Sequence, residues 1–168
     1  MAKSDSIQAG GCRCGAVRYE IRGEPLIVHV CHCTNCQQRS GSAFAVNLWI
    51  ERDKVILKSG ELVEQTTPGG ESGKRYDSWS CTDCGTAAWG YFYKSPPGSL
   101  FVRAGTLDDP SAFVPDVHIF TRSKQPWVTI PDDVPSFEAF YDLRETWSAD
   151  SLKRLGEISV TDPAEGTK

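Results

Sequence analysis

Short segments rich in β-branched and aromatic residues recur along the first 120 positions, separated by Gly, Pro, Asn and Asp. Segments of this length between turn residues are typical of β-strands. They cover residues 16–21, 43–50, 55–58, 87–93, 100–104 and 117–120. The pattern predicts a mainly β, antiparallel fold.

Helical periodicity is scarce before residue 135, so only a few short helices are expected. Residues 110–113 are predicted to form a single turn, and residues 137–145 have the most helix-like spacing of apolar positions. Residues 66–74 contain one Pro and three Gly among polar residues, which predicts a surface loop between two strands.

The chain of 168 residues fits one domain that can bury a core without disulfides. The predicted organisation is a flexible N-terminus at 1–10, a domain at 11–145 that contains all seven cysteines, and a polar C-terminal tail at 146–168. The tail contains few large apolar residues and ends in a mixture of Pro, Gly and charges.

Charge and hydropathy exclude several functions. A net charge of −4 without a long basic stripe argues against binding nucleic acid through its phosphates. Nowhere do about 20 consecutive apolar residues occur, as a membrane span requires, and the N-terminus has no apolar run typical of a signal peptide. We therefore expect a soluble, cytoplasmic protein that binds neither nucleic acid nor membranes.

Seven cysteines in a reducing compartment favour metal binding over disulfides, and their odd number leaves one unpaired. In an extended segment, residues two apart face the same side, so a Cys-x-Cys pair can direct both sulfurs to one ion. A Cys-x-x-Cys spacing forms a turn around a metal, most often zinc. Ligation of an iron–sulfur cluster stays an alternative. The three clusters are Cys12 and Cys14; Cys31, Cys33 and Cys36; and Cys81 and Cys84.

Seven ligands divide into four and three, and this division bears on function. A closed site of four thiolates is structural, whereas three ligands leave a coordination position for a substrate. Alternatively, His29, His32 or His118 supplies an eighth ligand and both sites are structural. Spacing alone does not tell which cluster forms the three-ligand site.

Four stretches of the chain resemble a known family in sequence and in order. They read GCRCGAVRY at 11–19, CHCTNCQ at 31–37 with SGSAF at 40–44, CTDCGT at 81–86, and HIFTRSKQPW at 118–127. The resemblance is to the glutathione-dependent formaldehyde-activating enzyme family and covers roughly residues 8–140.

The resemblance implies an Mss4-like antiparallel β-sheet fold with two zinc ions per chain. It implies that Cys12, Cys14, Cys81 and Cys84 hold a structural zinc, and that Cys31, Cys33 and Cys36 hold a catalytic zinc. It further implies a carbon–sulfur lyase that joins a small-molecule thiol such as glutathione to an aldehyde, giving S-hydroxymethylglutathione from formaldehyde. The alternative is a non-catalytic, zinc-stabilised binding module.

Glutathione carries two carboxylates, so an acidic protein needs local cations to bind it. If residues 117–124 are extended, His118, Phe120, Arg122 and Lys124 share one face and form a basic, partly aromatic wall. Alternatively, Arg122 and Lys124 are solvated surface charges. Trp127 is a further candidate for packing beside the site.

Overall fold

The computed structural model describes residues 6–69 and 73–160. It confirms the mainly β architecture, and each of the predicted strands is found within two residues of its expected ends. The strands are β1 (Ile7–Gly11), β2 (Arg18–Arg22), β3 (Ile27–Cys31), β4 (Ala45–Glu51), β5 (Val55–Ser59), β6 (Leu62–Gly69), β7 (Lys74–Cys81), β8 (Ala87–Phe92), β9 (Ser99–Arg103) and β10 (Val117–Ile119). The helices are α1 (Thr34–Ser40), α2 (Leu143–Thr146) and α3 (Ala149–Val160).

The strands form two sheets. The smaller sheet has the order β1-β2-β5, and the larger has the order β10-β3-β4-β9-β8-β7-β6. Neighbouring strands are antiparallel, except that β10 runs parallel to β3. The antiparallel character expected from the strand spacing is therefore confirmed.

The main core lies between the two sheets. Side chains alternate between the faces of a strand, and Leu48 of β4 and Val102 of β9 point to the same side, where both are fully buried. They belong to one apolar cluster with Tyr19 and Ile21 of β2. The intervening residues of β4 and β9 therefore point to the opposite face of the large sheet, where the candidate site lies.

The C-terminal segment covers part of that opposite face. Trp147 packs edge-on against Trp49 of β4, with ring centroids 4.9 Å apart. Arg154 of α3 donates two hydrogen bonds of 2.7 Å to the buried carboxylate of Glu51. The apolar side of α3, through Leu152 and neighbouring residues, joins the same cluster.

Several local expectations differ from the structure. The predicted helix at 137–145 is wrong, because α2 begins only at Leu143. The backbone of Phe137 instead exchanges hydrogen bonds with the chain around β10, donating to His118 (2.9 Å) and accepting from Thr121 (3.0 Å). The predicted loop at 66–74 is shorter than expected, since β6 continues to Gly69 and β7 starts at Lys74.

The outer segments of the predicted organisation also contain regular structure. β1 lies partly within the expected N-terminal segment 1–10, and α3 lies within the expected tail 146–168. Residues 1–5, 70–72 and 161–168 lie outside the described residues. The domain boundary at residue 145 stays a prediction.

Candidate metal centres and the adjoining cavity

The first cysteine cluster joins the two sheets. It contains Cys12, which follows β1, Cys14, Cys81 at the end of β7, and Cys84 in the turn before β8. Their sulfur atoms all lie within 4.8 Å of one another. The Sγ atom of Cys14 is 3.3 Å from that of Cys12 and 3.8 Å from that of Cys81. Four thiolates around zinc, each at about 2.3 Å, lie roughly 3.8 Å apart, so this cluster fits a closed tetrahedral site.

Backbone and hydroxyl donors surround these sulfurs. The amide of Val17 donates to the Sγ atom of Cys12 over 3.2 Å. A hydrogen bond with the side chain of Thr86 lowers the pKa of Cys84 to about 5. Gly15 and Gly85, with φ of 82° and 71°, form the left-handed turns that follow the paired cysteines. These donors favour the thiolate form of Cys12 and Cys84, which is the form that binds metal.

The second cluster lies where β3 meets α1. Cys31 is the last residue of β3, Cys33 is the N-cap of α1, and Cys36 lies in its first turn. The sulfurs of Cys31 and Cys33 are 3.5 Å apart, and the Cys33 sulfur accepts the backbone N–H of Cys36. This cap fixes the Cys-x-x-Cys turn. Among the described residues, the group contains these three cysteines and no His, Asp or Glu ligand atom.

The three histidines weighed as an eighth ligand have other partners. His32 and His118 are joined by a 2.8 Å hydrogen bond between Nε2 and Nδ1, and their rings are stacked. The Nε2 atom of His29 lies 2.7 Å from the hydroxyl of Tyr141. Burial lowers the pKa of His29 to about 3, so the ring is neutral. The three-cysteine group therefore has no protein ligand in a fourth position among the described side chains.

A cavity of about 410 Å³ adjoins this cluster. Its floor is a face of the large sheet, where β4 and β9 place two cross-strand pairs side by side: Asn47 opposite Arg103, and Trp49 opposite Phe101. Because these pairs are two residues apart along each strand, they share one face. The floor therefore has a polar end and an aromatic end.

Arg103 dominates the polar end. Its guanidinium donates to the side-chain oxygen of Asn47, and to the hydroxyl of Tyr76 over 3.3 Å. Burial lowers the pKa of Arg103, but Tyr76 and Cys36 outweigh this and raise it above its ordinary value, so the group stays a cation. Hydrogen bonds from Cys31 and Cys33, together with the charge of Arg103, hold the pKa of Cys36 well below its ordinary value. Arg103 thus stabilises negative charge on Cys36.

Tyr76 reaches Arg103 because Gly90 leaves space for its ring. A Cβ atom at Gly90 would lie 2.0 Å from the Tyr76 hydroxyl oxygen and 2.4 Å from its Cζ atom. These two residues belong to the adjacent strands β8 and β7. The position of the hydroxyl therefore depends on a glycine in the neighbouring strand.

The aromatic end of the cavity is closed by side chains from several parts of the chain. Besides Trp49 and Phe101, it includes Ile119, Phe120 and Phe140. Phe120 has φ 57° and ψ 40°, a left-handed conformation that is unusual for a residue other than Gly. Strain of this kind is found where surrounding structure enforces it, often beside a functional site.

The expected basic wall at 117–124 is wrong. The left-handed Phe120 ends β10, and residues Thr121–Ser123 form a 3-10 turn, so the alternating side chains do not share one face. Of the four residues proposed for that wall, Phe120 lines the cavity. The guanidinium of Arg122 lies over the Phe120 ring, and the ammonium of Lys124 donates to the carbonyl of Val128 over 2.6 Å. Trp127 is 74% exposed and does not line the cavity.

The residues at the polar end were not identified from the sequence. The sequence gives only a weak indication of these residues. Asn47 is an uncharged polar residue in a strand that is otherwise largely apolar, and Arg103 ends the apolar strand β9. Only the cross-strand register shows that they face each other.

None of the helices described in this chain has the length and hydrophobicity needed to cross a membrane.

The chain is similar to a solved structure and to a known protein family. A crystal structure of a Rhodobacter sphaeroides protein is similar to this chain, with a TM-score of 0.46 and 23% sequence identity. The match covers 64% of this chain and 97% of that one. The family described as glutathione-dependent formaldehyde-activating enzyme matches residues 7–123, which is more than half of the chain. The chain therefore belongs to the glutathione-dependent formaldehyde-activating enzyme family.

Proposed function

We propose that this protein is a zinc-dependent carbon–sulfur lyase that interconverts a thiol and an aldehyde with their adduct, as in S-hydroxymethylglutathione formation from glutathione and formaldehyde. The observation that carries the proposal is the three-cysteine cluster at the edge of the 410 Å³ cavity. A purely structural site would need neither an open ligand position nor an adjoining cavity.

The donor atoms of both clusters fit zinc. Sulfur ligands spaced within 4.8 Å suit a tetrahedral ion, in a set of four at the first site and of three at the second. In this proposal, Cys12, Cys14, Cys81 and Cys84 hold a structural ion, and Cys31, Cys33 and Cys36 hold the ion used in catalysis. Bound by three cysteines, zinc would favour the thiolate form of a substrate thiol.

The residues around the cavity have separate roles in this reaction. When the adduct forms, a bond forms between sulfur and the carbonyl carbon, the π bond of the carbonyl breaks, and the proton from sulfur ends on oxygen. Arg103, oriented by Asn47 and Tyr76, can stabilise the negative charge that develops on that oxygen or hold a carboxylate of the thiol. The apolar side chains of the aromatic end lower the polarity beside the cluster, which strengthens these interactions.

The proposal is tested by using NMR to measure the rate of exchange between free glutathione and its formaldehyde adduct. The rate without protein, measured in the same way, is the baseline. The protein is expected to accelerate exchange in proportion to its concentration. Cys33→Ala should reduce the rate to that of the uncatalysed reaction while circular dichroism shows a retained fold. Trp127→Ala, which alters an exposed side chain away from the cavity, is the matched control and should behave as the wild type. If the wild-type protein gives no acceleration, the lyase proposal is wrong and the binding-module alternative takes its place.

A further inference from the structure

Apart from the cysteines, the charged side chains around the cavity have one sign. Among the described residues that line it, Lys94 and Arg103 are cationic and no Asp or Glu is present. Glutathione carries two carboxylates and one ammonium group. The carboxylates can be held at these cations, whereas the ammonium group finds no carboxylate in the cavity and is best left in solvent. The polar groups of the thiol therefore belong at the polar end and at the mouth, where Lys94 is exposed.

The aromatic end has no evident use with formaldehyde. The carbonyl carbon of formaldehyde carries only hydrogen atoms, so its adduct adds a single CH₂OH group to sulfur. Five large apolar side chains nevertheless surround this part of the cavity. Such surfaces contribute to binding when an apolar ligand group displaces water from them. The five are Trp49, Phe101, Ile119, Phe120 and Phe140.

Part of this aromatic wall comes from beyond the family match, which ends at residue 123. Phe140 lines the cavity. The hydroxyl of the next residue, Tyr141, is hydrogen-bonded over 2.7 Å to the Nε2 atom of His29, which also lines the cavity. Trp147 donates to the Tyr141 hydroxyl over 2.9 Å and packs against Trp49. The C-terminal segment thus contributes Phe140 to the apolar surface beside the cysteine cluster, and its Trp147 packs against Trp49 of that surface.

The strained backbone of Phe120 points to the same end of the cavity. Its left-handed conformation accompanies a side chain that lines the cavity, with its ring centroid 6.5 Å from that of Phe140. Arg122 lies over the Phe120 ring, with its Cζ atom 5.9 Å from the centroid. The two phenylalanines, from segments that meet only in the folded chain, form one continuous apolar wall.

From these observations we propose that the carbonyl partner is an aldehyde with an apolar substituent of about the size of a phenyl group, held at the aromatic end. This rests on the proposed thiol-adduct chemistry. The atoms balance as for formaldehyde: the sulfur–carbon bond forms, the carbonyl π bond breaks, and the thiol proton moves to the oxygen. The product is a hemithioacetal whose carbon carries the apolar group.

The first test compares phenylacetaldehyde with formaldehyde, each with glutathione, by NMR exchange. For each aldehyde, kcat/KM is divided by the rate constant of the uncatalysed reaction. We expect this ratio to be roughly tenfold higher for phenylacetaldehyde than for formaldehyde. Phe140→Ala should reduce this preference about tenfold, because it removes one wall of the aromatic end. Phe140 is 48% exposed, so its loss should leave the fold intact. Trp127→Ala should keep the preference.

The second test measures binding alone, by calorimetry with two stable thioethers, S-benzylglutathione and S-methylglutathione. We expect the benzyl compound to bind roughly tenfold more tightly, and Phe140→Ala to remove that difference. Turnover of formaldehyde without a preference for phenylacetaldehyde, or equal affinities for the two thioethers, would overturn this inference and leave the proposed function standing. Failure of every aldehyde to react faster than without protein would overturn the proposed function itself.

Discussion

Arg103 is the residue on which the polar end of the cavity depends. It ends β9, faces Asn47 across the sheet, and carries a retained positive charge beside Cys36. A fixed cation beside a cluster of thiolates offsets their negative charge and offers two N–H donors to a substrate carboxylate or oxyanion. The geometry of the guanidinium should matter in addition to its charge.

We predict that Arg103→Met lowers kcat/KM for glutathione about a hundredfold, and that Arg103→Lys lowers it about tenfold. The lysine variant keeps a charge but cannot bond Asn47 and Tyr76 together. Steady-state kinetics with glutathione as the varied substrate measures both. Arg22→Met, on an exposed position of β2, is the matched control. Equal activity of Arg103→Met and the control would remove Arg103 from the site.

Gly90 supports the same group from the neighbouring strand. We predict that Gly90→Ala destabilises the fold by about 1–3 kcal/mol, since the new Cβ atom would overlap the Tyr76 ring. Displacement of Tyr76 should also lower kcat/KM, because Arg103 loses one of its partners. Urea unfolding measures the first effect. Gly105→Ala is the control, as no heavy atom lies within 4 Å of its Cβ position, and a stability loss as large as that of Gly90→Ala would refute the steric explanation.

At the scale of elements, the sequence pattern predicts β2, β4, β5, β8, β9 and β10 but not β1, β3, β6 or β7, although β3 is apolar and fully buried. β4 and β9 are apparent because large apolar residues lie on both faces, against the core on one side and at Trp49 and Phe101 along the cavity on the other. The sequence pattern misses β6 and the start of β7 because they are largely exposed and polar and lie beside a Gly-rich connection. Hydrogen bonding between β6 and β7 accounts for the strand conformation of both segments.

Long-range contacts also explain the errors near the C-terminus. The apolar spacing at 137–145 fits a helix, yet the backbone of Phe137 bonds to residues of the β10 region that are 16 to 19 positions away in sequence. Apolar periodicity describes which side chains are buried, not where the backbone N–H groups find acceptors. The same limit explains the incorrect basic wall, because the left-handed turn at Phe120 has no glycine to signal it.

The attachment of α3 to the large sheet depends on the ion pair between Arg154 and Glu51. Their side chains are only 18% and 6% exposed. We predict that Arg154→Ala costs about 2–3 kcal/mol of stability at neutral pH, because the buried carboxylate loses both hydrogen bonds from Arg154 and keeps Lys54, at 3.0 Å, as a weaker substitute. Lys153→Ala, on the exposed side of α3, should change stability by less than about 0.5 kcal/mol.

The pH dependence of this effect has a definite sign. Burial raises the pKa of Glu51, but hydrogen bonds from Arg154 and Lys54 outweigh it and lower the pKa below its ordinary value of 4.5. The ion pair therefore stabilises the fold fully above pH 4.5 and loses this contribution as the pH falls through the lowered pKa. Urea unfolding should show the difference between wild type and Arg154→Ala shrinking under acidic conditions. A difference that grows as the pH falls would contradict the ion-pair explanation.

At the scale of the whole molecule, the two cysteine clusters occupy different positions in the fold. The four-cysteine cluster connects the end of β1 to the turn between β7 and β8, and Cys14 and Cys81 are 67 residues apart in sequence. It therefore links the small sheet to the large one. The three-cysteine cluster joins β3 to the adjacent α1 and borders the cavity.

The cysteine spacing indicated two metal centres, but not which cysteines belong together. That grouping came from the family resemblance, and the structure brings together the same two sets of sulfurs. The polar end of the cavity could not be predicted, because Asn47, Tyr76 and Arg103 come from three strands and meet only through the register of the sheet. Motifs within one segment are visible in a sequence, whereas sites assembled across strands are not.

The most direct measurement of this account is zinc content per chain together with thermal melting, for the wild type, Cys33→Ala and Cys81→Ala. We predict two zinc ions in the wild type, and one in Cys33→Ala with a cooperative melting transition. Cys81→Ala should lack a cooperative transition, because metal binding at the closed site contributes directly to folding. A cooperatively melting Cys81→Ala protein, or a Cys33→Ala protein that keeps two zinc ions, would contradict the division into a structural and a catalytic site.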